Sequence, residues 1–184
     1  MRIYKIKEDT NNYQWVMPKN KDDIFENLSF ECHSKESKWQ PLEMFVFNPQ
    51  KKQGNFYTLG GIGALVFDEQ ALDAMLTIFE MAGEILPINV EGASLYILNV
   101  LDCVNCLDKD KSIWDYYEDG SRGRILSYSF YKDRMTEGSI FKIPETCKTE
   151  VLIYSDIKNK EEEFIPLYEK HKLTGLIFEE IYSG

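Results

Sequence analysis

Between Gln53 and Asp108 the chain has no lysine or arginine, although 21 basic residues occur across its 184 positions. No apolar run approaches the roughly 18 residues of a membrane-spanning helix, so a membrane protein of that kind is excluded. The first dozen residues mix charge with isolated apolar positions and lack the apolar core of an export leader, so a cytoplasmic protein is expected. In that compartment the four cysteines, Cys32, Cys103, Cys106 and Cys147, read as reduced thiols rather than a disulfide framework. Only two histidines are present, His33 and His171, and neither adjoins a nucleophile-elbow pattern. No Pro/Ser-rich linker, repeat or low-complexity tract divides the chain, and one domain over residues 1–184 is expected.

What is present is enough for a core. Apolar residues make up 43% of the chain and aromatics 14%, a composition that offsets the entropy of folding. The net charge of −10 argues against tracking a phosphate backbone and favours a basic partner, so nucleic acid is not expected as a ligand.

The clearest element is a helix capped by Asp68, with Leu72, Met75, Leu76 and Phe79 as its apolar stripe and Gly83 as its stop. Short extended segments are expected at Ile3 to Ile6, Tyr13 to Met17 and Leu42 to Phe47, and a buried strand at Ser94 to Val100. Asp102 to Leu107 reads as a short helix. Ile113 to Tyr117 and Ile125 to Tyr131 flank the Gly120–Gly123 turn as a hairpin, with Trp114 and Tyr116 toward the core and Asp115 and Tyr117 toward water. Phe141 to Ile143 and Val151 to Tyr154 add strands. A helix capped by Ser155 or Asp156 then runs past Pro166 to Lys170, His171 and Lys172, and Gly175 to Tyr182 closes as a strand. The sum is an α+β fold, a mostly antiparallel sheet with two or three packed helices.

Candidate chemistry is sparse. Cys103-Val-Asn-Cys106 has a spacing suited to a metal clamp or a redox dithiol, but no second spaced pair completes a zinc site, and two small core thiols is the favoured reading. Asp108-Lys-Asp110-Lys-Ser112 opens like a calcium loop, yet Ile113 stands where its turn requires glycine. A polar loop with Asp108 and Ser112 holding backbone amides fits better. Gly60-Gly61-Ile62-Gly63 lacks the lysine of a phosphate loop and reads as a tight turn. No catalytic residue, cofactor or metal is assigned.

The charge distribution is more informative. Eight carboxylates, and no base, lie between Gln53 and Asp108. On the helix, Glu69, Asp73 and Glu80 fall opposite the apolar stripe without i±4 basic partners. Asp68 and Glu69 suit the N-terminal dipole by about 0.3–1 kcal/mol each, whereas Glu80 near the other end opposes it. Asp68, Glu69, Asp73, Glu80 and Glu84 form the candidate docking set for a basic protein.

Leu86-Pro87, Tyr96-Ile97-Leu98-Asn99-Val100, and Leu107-Asp108 with Ser112 together resemble a bacterial immunity-protein family, once catalogued as a domain of unknown function and later named immunity protein eleven. Trp39-Gln40-Pro41, Gly63 to Phe67, Ile140-Phe141, Tyr154-Ser155-Asp156 and Leu173 to Phe178 extend the resemblance over residues 39–182. The chain departs from the family pattern in Asn159-Lys-Glu-Glu-Glu163 before the last helix and in the Cys103/Cys106 pair. The resemblance implies a non-catalytic, single-domain binder that neutralises a cognate toxin by occlusion, a basic nuclease being one such toxin. The alternatives are a small metal- or thiol-dependent enzyme using Cys103, Cys106 and a histidine, and a general regulatory binding domain.

Overall fold

The computed structural model describes residues 1–157 and 159–184, with the backbone alone for Phe25. Its strands are β1 (Arg2–Glu8), β2 (Val16–Pro18), β3 (Leu42–Val46), β4 (Phe56–Tyr57), β5 (Leu65–Phe67), β6 (Gly83–Val90), β7 (Ala93–Val100), β8 (Ile113–Tyr116), β9 (Arg122–Ser127), β10 (Ile140–Phe141), β11 (Leu152–Ser155) and β12 (Leu176–Ser183). The helices are the single turn α1 (Asp23–Glu26), α2 (Glu69–Ala82) and α3 (Phe164–Lys170). A six-stranded sheet has the order β2-β3-β6-β7-β5-β4, a four-stranded sheet the order β10-β11-β1-β12, and β8-β9 form a hairpin. Every strand pair among the described residues is antiparallel except β3 with β6. The chain is thus α+β with predominantly antiparallel sheet and two packed helices, as its sequence leads one to expect.

Strand alternation distributes the apolar residues among three cores. Leu65 and Phe67 of β5, with Leu98 and Val100 of β7, face the central core together with α2 and α3. Their neighbours Val66, Leu95 and Ile97 face outward, where Leu28, Phe30 and Trp39 of the N-terminal loop cover them. The four-stranded sheet divides in the same way: Ile6, Ile140 and Ile153 join the central core, and Ile3, Phe141 and Leu152 meet Leu107, Trp114 and Phe130 on the far side. The central core therefore includes side chains from both sheets and from α2 and α3.

Helix α2 begins because the Asp68 carboxylate accepts the Ala71 amide at 2.9 Å, relieving one of the unpaired first-turn donors. It ends at Gly83, whose amide donates to the Phe79 carbonyl. A Cβ at Gly83 would stand 2.0 Å from the Asn99 carbonyl, so only glycine lets the chain pass directly from α2 into the β6-β7 ladder. The buried stripe runs Ala71, Met75, Ile78 and Ala82, with Phe79 beside it. This turns Leu76 to solvent at 43% exposure, correcting its expected place in the core.

Other departures have identifiable causes. Residues 83–90 form the strand β6, which Pro87 masks in the sequence; Pro87 lies just before the β3 pairing and its carbonyl accepts from Trp39 Nε1 at 2.9 Å. Residues 102–107 are extended rather than helical, since their backbone groups pair with Lys142 and Tyr131, distant in the chain. The last helix starts at Phe164, well past Ser155 and Asp156, because Glu163 accepts the Asp156 amide at 3.1 Å and the Ser139 hydroxyl accepts the Phe164 amide at 3.1 Å. Pro166 falls in its first turn, where the missing N–H is not needed. Register shifts on both sides of Trp114 leave Tyr116 exposed instead of core-facing, while Trp114 is buried as expected.

Two substitutions on α2 test its orientation. Phe79→Ala should lower stability by about 3–5 kcal/mol in denaturant unfolding, whereas Leu76→Ala should lower it by less than about 1 kcal/mol.

Candidate functional site

Three of the five sequence-selected carboxylates, Glu69, Asp73 and Glu80, project from the solvent face of α2. None of them enters an ion pair among the described residues. Asp68 is committed to the fold: besides capping α2 it accepts Asn55 Nδ2 at 3.0 Å.

Glu84 lies not on the helix but on β6, opposite Asn99 of β7. Its carboxylate accepts the Lys35 amide at 2.9 Å, Asn99 Nδ2 at 3.0 Å, the Glu36 amide at 3.4 Å and the Ser34 hydroxyl. Burial opposes its charge, but the donors from Lys35, Ser34, Asn99 and Glu36 outweigh that effect and hold the carboxyl below the usual range. Glu84 is thereby an anchor for the loop ahead of β3, with its acceptor capacity largely used.

The face around the three projecting acids is wider than sequence spacing suggests. A cleft of about 280 Å³ brings Asp73, Leu76 and Thr77 of α2 together with Glu161, Glu162 and Leu167 from the approach to and body of α3. On the other flank Glu69 and Asp73 share a shallow depression with His171. The signal for Glu161 and Glu162 was present as a run of three acids, but their place beside α2 depends on the α2–α3 packing. Leu76 and Met81, 43% and 49% exposed, give this face apolar contact area.

The remaining motifs fall into place structurally. Asp108 is buried and accepts the Asp110 and Lys111 amides at 3.3 and 3.2 Å, while the Ser112 hydroxyl donates to the Asp108 carbonyl at 2.7 Å and accepts the Ser129 amide at 3.0 Å. This is the amide-holding loop expected. Gly60, Gly61 and Gly63 all have positive φ, as a tight turn requires. Cys106 is fully buried and its thiol is pushed up to about 12, chiefly by burial, so it is a poor nucleophile or metal ligand. Among the described residues no group of three His, Cys, Asp or Glu side chains is arranged to hold a metal ion. A groove of about 660 Å³ lies between β9 and the four-stranded sheet, and salt bridges Lys5–Glu150 and Lys7–Glu179 already pair much of its charge.

The immunity protein family (Imm11) matches residues 70–183, from the first turn of α2 to the end of β12. The chain belongs to the Imm11 immunity-protein family. As an Imm11 protein it is non-catalytic, acts by binding protein, and has a cognate toxin as its partner. No curated protein matches the chain in sequence. Among the described residues, no helix is long and apolar enough to cross a membrane.

The anchoring role of Glu84 has a measurable pH signature. At pH 7, Glu84→Gln should cost about 1 kcal/mol of stability, because partly exposed donors lose a charged acceptor. Since the native carboxyl is held below its ordinary 4.5, wild type's advantage should be full above that pH and disappear as the pH falls through the lowered native value. Paired unfolding curves from pH 7 to acid check both the size and the sign.

Proposed function

We propose that this Imm11 chain neutralises a basic cognate toxin by laying the acidic face of α2 across the toxin's active site. The observation that carries this reading is the set Glu69, Asp73 and Glu80, exposed on one helix with no ion pair among the described residues. Unpaired charge of one sign steers an oppositely charged partner and disfavours wrong ones. Leu76 and Met81 supply apolar contact beside it. Asp68 and Glu84 belong to the proposed set as supports: Asp68 starts the helix, and Glu84 steadies the loop that packs behind its end.

In this reading residues 1–184 act as one cytoplasmic domain. Support comes from the sheets: β1 pairs between β11 and β12, β3 pairs with β6, and β5 with β7, so strands ahead of the family match are embedded in sheets formed by the matched region.

The test is a triple reversal, Glu69→Lys with Asp73→Lys and Glu80→Lys, assayed for binding to the cognate toxin. Affinity should fall about tenfold or more, wild-type binding should weaken with added salt, and protection of growth on coexpression should be lost while the unfolding midpoint stays close to wild type. Unchanged affinity overturns the acidic-face reading. Loss of binding from Tyr116→Ala with Tyr117→Ala, and none from the reversal, would place the contact on the β8-β9 hairpin, where both rings are exposed.

A further inference from the structure

Cys32 and Cys103 are remote in sequence, yet the hydrogen-bond pattern brings both against one buried lysine. The Lys142 amide donates to the Asp102 carbonyl at 2.8 Å and the Val104 amide to the Lys142 carbonyl at 2.8 Å, which sets Cys103 directly across from Lys142. The Lys142 side chain is completely buried, and its ammonium donates to the Phe30 carbonyl at 2.8 Å. Lys148 Nζ holds the Glu31 carbonyl at 3.1 Å, and Asn99 Nδ2 holds the His33 carbonyl at 2.9 Å. Cys32 therefore sits between two anchored carbonyls, each fixed by a side chain from the strands and loops around Cys103. Its φ of 60° is a left-handed conformation that a non-glycine residue keeps only when its surroundings enforce it.

The Lys142 charge acts on both thiols, and Cys103 in turn acts on Cys32. Gly63 closes over this cluster: a Cβ there would lie 3.1 Å from Lys142 Nζ and 2.7 Å from the Lys148 carbonyl oxygen. Cys32 and Cys103 are both half-buried and reachable, whereas Cys106, the partner suggested by sequence spacing, is sealed in the core.

We propose that Cys32 and Cys103 form a reversible disulfide on exposure to hydrogen peroxide. The Cys103 thiolate attacks one peroxide oxygen, the O–O bond breaks, and the departing hydroxide takes up a proton as water, leaving a sulfenic acid on Cys103. The Cys32 sulfur, losing its proton, then displaces the sulfenic hydroxyl, which leaves as a second water as the S–S bond forms. Two thiols are oxidised and one peroxide is reduced to two waters. Burial raises the Cys32 thiol to about 11 even against the Lys142 cation, so Cys32 stays protonated at pH 7 and the first attack falls to Cys103. The bond ties the loop that covers the outer face of the six-stranded sheet to the segment leaving β7, and a dithiol reductant releases it.

The experiment treats the full chain with hydrogen peroxide, counts thiols after unfolding, and maps peptides without reduction. Titratable thiols should fall from four to two, with Cys32 joined to Cys103, and dithiothreitol should restore all four. Cys32→Ser and Cys103→Ser should each lose the intramolecular bond, while Cys147→Ser, at an exposed site, should still lose two thiols. If either of the first two variants does not fold, the peptide map of the wild-type chain decides alone. A Cys103–Cys106 linkage, or oxidation of single thiols without a Cys32–Cys103 link, overturns the proposal.

Discussion

The structure depends on one aromatic cluster between its sheets. Phe56 of the six-stranded sheet lies 6.2 Å from Phe164 and 5.9 Å from Tyr168 of α3, measured between ring centroids, and Tyr168 and Phe164 in turn meet Phe178 of the four-stranded sheet at 5.0 and 6.0 Å. Phe67 and Phe79, at 4.4 Å, tie β5 and α2 into the same cluster. Tilted and edge-on ring pairs add to the area they bury, so these side chains both hide apolar surface and set the spacing of the two layers. Remove this cluster and neither sheet has a second face to bury.

That arrangement determines which charges remain available. The face of α2 turned inward is consumed by packing, and the opposite face leaves Glu69, Asp73 and Glu80 in solvent beside Leu76 and Met81. The same sequence segment places Glu84 on a strand, where backbone and side-chain donors absorb its charge. Two groups of carboxylates with similar spacing in the chain thus have different surroundings: one is bonded into the fold and the other faces solvent.

Polar side chains around the N-terminal loop show a related economy. Lys142, Lys148, Asn99 and Glu84 spend their hydrogen bonds on the backbone of residues 30–36, a loop with no ladder of its own. A buried polar group left without a partner is costly, so these side chains and that loop support each other. The clustering of Cys32 with Cys103 follows from the same anchoring. No spacing rule could have found it, since sequence spacing pairs Cys103 with Cys106.

Local chemistry made much of the fold legible. The Asp68 cap, the Gly83 stop, the β8-β9 turn and the closing strand are each written in a few adjacent residues, because capping, tight turns and alternation act over short range. The sequence by itself also determined the acidic, base-free stretch and the motifs that link the chain to its family. Tertiary structure alone decided that Leu76 faces water, that residues 102–107 extend, that Pro87 is held in a strand and that Glu84 is engaged. In each case the deciding energy comes from a partner distant in the chain: the core that α2 packs against, the ladder to Lys142, the β6-β7 pairing, and the donors of Ser34, Lys35 and Asn99.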